Sequence, residues 1–379
     1  MTDKNLSDDF VIYSEKPSSS SSDNVNKLSE TNTDVISKKK IKAVALLSGG
    51  LDSNIAVRMM KEQNIDVEAV AIKTPFCDFD CGKGCGHKVM EVSSELDIKL
   101  NTVYLGKEYL TMLKNPKHGY GSGMNPCIDC RKMMYEEAKK HMEKIGADFL
   151  ITGEVLHQRP MSQNSNALSI IENETNMEGK VLRPLSAQLL PKTDAEKEGL
   201  VDRSLLGSIH GRSRKEQLML ADKFGIADPP NSAGGCLLTD PQFSKRIRDL
   251  FKYSSEPSIN DVDLLKVGRH FRLDSYSKLI VGRNRDENEK LKSLALVSDY
   301  VIEPVVIPGP VAILRNNDSN PDLVKYEESL MISIGILLRY SDLLPEQTCG
   351  VKVINKLFET SKIISSLPSS ILEVDKYRI

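Results

Sequence analysis

The sequence predicts an α/β fold built on a parallel sheet, followed by a smaller C-terminal α+β domain, and three observations carry that expectation. Short apolar runs, Ala43 to Leu47, Val67 to Ile72 and Leu100 to Leu105, alternate with helix-length segments, the pattern of βαβ units with helices on both faces of a sheet. The first run breaks abruptly into Ser48-Gly49-Gly50 and starts a helix near Asp52. Beyond a linker-like stretch at Ser254 to Ile259, the segments read instead as strands at Val267 to Leu273, Lys278 to Arg283 and Tyr300 to Ile307, with a helix at Asp286 to Leu296.

Each element has its own local cause. Lys132 to Ile145 has the length and composition of a helix, Gly146 stops it, and Asp148 to Thr152 is a fourth strand. Ser213 to Glu216 has the spacing of a capping box and starts a helix running to about Phe224. Pro229-Pro230 closes that region, Asn231 to Asp240 is a loop carrying Cys236, and helix signals resume from Pro241 to Phe251. The domain boundaries expected are a tail over 1–40, a first domain over 41–253 and a second over 260–379. The tail is rich in Ser, Asn, Asp and Lys and shows no apolar period, the composition of a solvated segment. Its early acids Asp3, Asp8, Asp9 and Glu15 argue against an organellar transit peptide, so a cytoplasmic protein is expected.

With 379 residues, 40% hydrophobic and 27% charged, the chain fits a globular protein of two domains. No apolar run approaches bilayer-spanning length, and no membrane association is expected. A net charge of -2 excludes coating nucleic acid by bulk charge alone, but not a local basic face.

In a parallel sheet, ligands sit at the carboxyl ends of the strands. Three groups fall there: the Ser48 loop after the first strand, Lys73 to His87 after the second, and Gly153-Glu154 after the fourth. In the Ser48 loop two glycines let the backbone turn tightly and approach a ligand, while the following helix start offers N–H groups and a positive dipole end. That arrangement suits a phosphate; an ordinary strand-to-helix turn has the same residue types.

Of seven cysteines, five fall in two tight groups, and the odd count without a secretory signal favours thiol or metal chemistry over a disulfide framework. Cys127 and Cys130 form C-x-x-C ahead of a helix, beside Arg131 and Lys132, where dipole and charge favour thiolate. Two ordinary, partly buried cysteines would satisfy the same spacing. Cys236 is the candidate third ligand of a metal or cluster; a metal-free alternative uses one thiol as a persulfide and another to resolve it. Cys77, Cys81, Cys85 and His87 form a second group, expected as a zinc site, a second cluster or a flexible loop with unligated thiols. Cys349 is isolated and expected to be structural.

The Ser48-Gly49-Gly50-Leu51-Asp52-Ser53 loop resembles the SGGxDS loop of PP-loop ATP pyrophosphatases, an adenine nucleotide alpha hydrolase-like, Rossmann-like fold. Asn125-Pro126-Cys127-Ile128-Asp129-Cys130 is similar to the Asn-Pro-x-x-x-Cys segment of the tRNA 2-thiouridine synthases, which puts Cys130 at their catalytic cysteine, while Cys127 stands where they carry an acidic residue. With Cys236 the set is similar to iron–sulfur-dependent members of the wider group, which includes the 4-thiouridine synthases. The resemblance covers about Lys42 to Asp249; the C-terminal domain does not match the usual tRNA-binding modules.

The resemblance implies an ATP-dependent tRNA sulfurtransferase that adenylates a uridine carbonyl and replaces its oxygen with sulfur. It implies that Ser48, Gly49, Gly50 and Ser53 cradle the phosphates, that Asp52 helps to place Mg²⁺, and that Gly153 borders the nucleotide. Cys127, Cys130 and Cys236 would then be catalytic, either as ligands of a 4Fe–4S cluster or through a persulfide on Cys130. The implied partners are tRNA and a sulfur donor: a cysteine desulfurase, a carrier or sulfide. Basic candidates for tRNA are Arg131, Lys132, Lys139, Lys140, Arg212, Arg214, Lys215, the His157 to Gln163 loop, Lys266 to Arg272 and Arg283 to Arg285. Two rival readings are a PP-loop synthetase acting on a small molecule and a non-catalytic RNA-binding scaffold.

Overall fold

The computed structural model describes residues 40–77, 85–226, 236–316 and 323–379, with side chains left out at 85–87 and 323–326. The first sheet contains β1 (Lys42–Leu46), β2 (Asp66–Lys73), β3 (Leu100–Tyr104), β4 (Phe149–Thr152) and β5 (Val181–Leu182), in the order β3-β2-β1-β4-β5. Its pairs are all parallel. Both faces are covered. Ala43 and Ala45 of β1 join one apolar cluster with Ile55, Met59 and Met60, while Val44 joins another with Tyr135, Ala138 and Leu150. A strand buried on both faces reads as an unbroken apolar run, which is why β1 was visible in the sequence.

The helices of this half are α1 (Leu51–Glu62), α2 (Cys85–Glu95), α3 (Lys107–Lys114), α4 (Cys127–Ile145), α5 (Ser165–Thr175), α6 (Asp194–Lys197), α7 (Lys215–Lys223), α8 (Pro241–Tyr253) and α9 (Ile259–Leu265). α4 begins five residues earlier than expected, so Cys127 is its first residue rather than part of a preceding loop. The expected capping box at Ser213 to Glu216 does not form: α7 starts at Lys215, and Ser213 Oγ accepts only the Lys215 N–H, at 3.4 Å. The linker-like stretch contains Ser258, which caps α9 in a true capping box with Asp261. α9 then buries Val262 and Leu265 in one cluster with Tyr109, Leu238 and Phe243.

The second sheet is antiparallel, in the order β11-β10-β8-β9-β7-β6. Its strands are β6 (Arg269–Arg272), β7 (Ser277–Val281), β8 (Tyr300–Pro304), β9 (Ala312–Asn316), β10 (Cys349–Asn355) and β11 (Thr360–Ser366), with α10 (Arg285–Leu294), α11 (Leu323–Arg339) and α12 (Ile371–Tyr377). Phe271, Leu279, Ile302, Leu314, Ile334 and Val351 are among the residues that form its own apolar core. Cys349 is buried there, structural as expected.

Candidate active site

β1 and β4 are neighbours whose chain connections run to opposite sides of the sheet, so the crevice beyond their carboxyl ends is where this topology accepts a ligand. The Ser48 loop fills one side of it. Gly49 adopts φ +72°, a left-handed conformation that a side chain would strain, and a Cβ there would also meet Val89 N at 3.0 Å. Ser48 Oγ and Ser53 Oγ lie 3.2 Å apart, and Ser53 Oγ donates to Gly50 O at 2.9 Å, which closes the loop on itself. Gly50 caps α1 without a side-chain hydrogen bond, leaving the helix start open to an external acceptor.

β4 delivers Gly153 to the other side of the crevice. A Cβ on Gly153 would stand 2.4 Å from Ser53 N, so only glycine lets the end of β4 rest on the loop. Glu154 follows, fully buried, its Oε2 accepting from Tyr135 OH (2.5 Å), Arg183 Nε (3.1 Å) and Thr152 Oγ1 (3.2 Å). Burial opposes its charge, but Arg131 and Arg183, with the Tyr135 hydroxyl, outweigh that and hold the carboxyl below its ordinary range.

Asp52 sits in the first turn of α1. Burial pushes its carboxyl up, only partly offset by the Gln158 hydrogen bond and by Arg214 and Arg159. Gln158 Nε2 donates to Oδ2 at 3.1 Å, whereas Oδ1 is buried and makes no hydrogen bond among the described residues. Beside it lies Gln217 of α7, completely buried and close enough to help offset the burial of Asp52, with neither amide atom in a well-formed hydrogen bond among the described residues. No sequence signal marks Gln217; it reaches Asp52 only because α7 packs on α1. Arg214 arrives near the loop because Leu156 bridges to His210 and Gly211 N donates to Leu156 O at 2.7 Å.

The cysteines gather at the same carboxyl edge. Gly123, at φ +66°, lies so close to Leu238 O that a Cβ would meet it at 2.5 Å, and Met124 N donates to that carbonyl at 2.9 Å. This contact brings the Cys236 segment against the start of α4. The flanking glycines Gly234 and Gly235 lie outside the described residues. Cys130 and Cys236 are partly buried against the cluster of Phe76, Tyr109, Leu238 and Phe243; Cys127 and Cys77 bear on both thiols, and Cys130 also bears on Cys236. Cys77 lies near enough to bear on Cys130 and Cys236, with the Thr74 N–H and hydroxyl both 3.3 Å from its Sγ. Cys81, and the side chains of Cys85 and His87, lie outside the described residues.

The thiolate expected at the C-x-x-C is not favoured in this environment. Burial raises the Cys127 thiol, and Arg131 and Arg159 offset only part of that. Burial likewise raises Cys130 despite the Tyr109 hydroxyl and Arg131, and pushes Cys236 up to about 12. Desolvation outweighs dipole and charge here. Lys132 pairs with Glu174 (3.1 Å), Lys139 donates to Thr175 O (3.1 Å) and the exposed Lys140 pairs with Glu137 (2.5 Å).

No three His, Cys, Asp or Glu side chains among the described residues close round a single ion. A cluster spreads its thiol ligands further apart than one ion does, and it supplies the positive charge these buried thiols lack. Cys127, Cys130 and Cys236 are thiol donors of the type a cluster takes. No helix among the described residues is long and apolar enough to cross a membrane.

Comparison with known proteins agrees with the PP-loop resemblance. Residues 39–193 match the family described as thiamine biosynthesis protein (ThiI), and residues 268–378 match the NFACT protein RNA binding domain. The tRNA-specific 2-thiouridylase MnmA of Staphylococcus aureus (strain JH9) is 24% identical over 300 residues, covering 70% of this chain and 76% of its own. Among solved structures, a 4-thiouridine synthetase–RNA complex with bound ATP is 22% identical with a TM-score of 0.31, covering 49% of this chain and 51% of that one. The U34-tRNA thiolase NcsA from Methanococcus maripaludis with its [4Fe-4S] cluster is 18% identical with a TM-score of 0.29, covering 62% and 74%.

Proposed function

We propose that this PP-loop chain is an ATP-dependent tRNA sulfurtransferase that adenylates a uridine carbonyl and replaces its oxygen with sulfur. One observation carries the reading: a phosphate-type loop at Ser48 to Ser53 and the thiols Cys127, Cys130 and Cys236 occupy the same carboxyl edge of one parallel sheet. The matches to ThiI and to a tRNA-specific 2-thiouridylase support it.

In this reading the phosphates of ATP lie on the backbone of Gly49 and Gly50, the start of α1 and the hydroxyls of Ser48 and Ser53, beside Gly153. Asp52 places Mg²⁺, which would relieve both its desolvation and its orphaned Oδ1. The uridine oxygen attacks the α-phosphate and pyrophosphate leaves, so the ring carbon carries AMP as a good leaving group. A sulfur nucleophile then adds at that carbon and AMP departs with the original oxygen. The sulfur comes from a cysteine desulfurase, a carrier or sulfide. A 4Fe–4S cluster held by Cys127, Cys130 and Cys236 would supply an open iron position for sulfide. Without one, a desulfurase or carrier persulfide passes its outer sulfur to Cys130, and that sulfur adds to the ring carbon. A second thiol then attacks Cys130 Sγ to release the thiolated base, leaving a disulfide that an external dithiol reduces. The segment 268–378 holds tRNA, in line with its match to an RNA binding domain.

Mass spectrometry of tRNA nucleosides from a deletion strain tests the reading. Complementation with Cys130→Ser should leave the thionucleoside absent while ATP binding stays near normal; an unchanged thionucleoside would overturn the cysteine assignment. Protein purified anaerobically should be brown and lose iron on Cys127→Ala. A colourless, iron-free, active enzyme would favour the persulfide route.

A further inference from the structure

We propose that Glu154 is a positioning residue that acts through Arg131, fixing the cysteine end of α4 relative to the nucleotide loop. The inference rests on the site reading above, since it concerns the same loop and the same thiols.

Two neighbouring residues at the end of β4 reach in two directions. Gly153 lies against Ser53 N and the Asp52 carbonyl carbon, so closely that a Cβ would clash with both. Glu154, one residue on, turns into the sheet face, where Oε2 is fully engaged by Tyr135, Arg183 and Thr152. Its other oxygen, Oε1, is buried and makes no hydrogen bond among the described residues; Arg131 Nε stands 3.5 Å away as an ion pair. Arg131 directly follows Cys130 in α4, and its charge bears on both Cys127 and Cys130.

The surrounding charges explain why the pair is specific. Arg183 is bonded to Glu154, to the Tyr135 hydroxyl (3.1 Å) and to Glu172 (2.5 Å), so its guanidinium is already committed. Arg131 is the cation left for Oε1. A buried carboxylate oxygen with a single ionic partner is costly unless that partner stays in place. Arg131 is thereby tethered to the end of β4, and with it the first turn of α4. Activation at Ser53 and sulfur chemistry at Cys130 then share one rigid strand end.

The test is a double-mutant cycle read by alkylation of Cys127 with iodoacetamide in the full-length reduced protein, scored by peptide mass spectrometry with Cys349 as internal control. This readout needs no tRNA, so it stands or falls separately from the thiolation reading. Arg131→Gln should slow Cys127 alkylation roughly tenfold, because it removes the nearby cation. Glu154→Gln should also slow it, through loss of the tether, and the double variant should be no slower than Arg131→Gln alone. Removal of the Glu154 charge acting only through space would instead speed alkylation, and that result, or no change, or additive slowing in the double variant, overturns the proposal. If Glu154→Gln does not unfold cooperatively, Arg131→Lys takes its place, keeping the charge but losing the planar reach to Oε1. Slower Cys127 alkylation in that variant supports the tether and an unchanged rate refutes it.

Discussion

Gln158 Nε2 donates to Asp52 Oδ2 at 3.1 Å, fastening the loop after β4 to the first turn of α1. The carboxylate it holds is otherwise poorly served. Its Oδ1 has no hydrogen bond among the described residues, and burial raises its pKa. A carboxyl whose folded-state pKa lies above its unfolded value contributes stability below the unfolded pKa and loses it as pH rises through the folded one. At neutral pH the ionised Asp52 therefore costs stability. Asp52→Asn should raise the melting temperature slightly at pH 7 while weakening MgATP binding about tenfold or more. Calorimetric titration beside a thermal melt checks both halves, and unchanged MgATP affinity would remove Asp52 from the nucleotide site.

Gly123→Ala should be far more damaging than Gly146→Ala, although both glycines adopt φ near +65°. At Gly146 nothing lies within 4 Å of an added Cβ, so only backbone strain is paid, about 1 kcal/mol. At Gly123 the Cβ meets Leu238 O and Ser244 Oγ at 2.5 Å, pushing the Cys236 segment off α4. An additional loss on the order of 2 kcal/mol is expected in urea unfolding. Equal losses in the two variants would show that this contact does not hold the thiols together.

Cys236 gives a prediction with a definite pH window. Its thiol is pushed up to about 12 by burial, so in the reduced, metal-free protein alkylation of Cys236 should keep rising about tenfold per pH unit beyond pH 9. An exposed peptide cysteine levels off near pH 9. The same raised value means that the stability contributed by the neutral thiol is present below the unfolded pKa and is lost as pH rises from there toward 12. A plateau in Cys236 labelling near pH 8 would contradict the buried environment.

Asp249 joins α8 to the second sheet, accepting from Arg272 (2.7 Å) and Lys278 (2.9 Å). Burial opposes the Asp249 charge, but those two cations hold its carboxyl low, while burial brings Lys278 down to about 8. Asp249→Asn strands two buried cations and should cost about 3 to 5 kcal/mol in urea unfolding. For a carboxyl with a lowered pKa, the stabilisation is present above the unfolded pKa and lost as pH falls through the folded one. The variant's deficit should therefore shrink below about pH 4; a deficit constant down to pH 2 would rule out the ion pair as its source.

The amino-acid order by itself determined the parallel sheet, the Ser48 to Ser53 loop and the helix through Lys132 to Ile145, but not that its first turn takes in the C-x-x-C. Each of these is written in a local pattern: a doubly buried strand as a continuous apolar run, a tight turn as paired glycines, a helix as its length and stop signal. Other features are not local. β5 is two residues long and too short to carry a period, and β10 alternates buried and half-buried residues between β8 and an exposed β11. The thiolate expected beside Arg131 and Lys132 failed because burial depends on what packs over a residue, and Lys132 had a stronger partner in Glu174. Gln217, Gly123 and Cys77 reach the site from three separate segments, and only the packing of α7 on α1, of Gly123 on Leu238 and of Phe76 on Tyr109 brings them there. Sequence spacing sets chemistry that neighbours in the chain can perform. Close approach between distant segments is set by the volumes and charges that must share one interior, and that was left to the tertiary structure to decide.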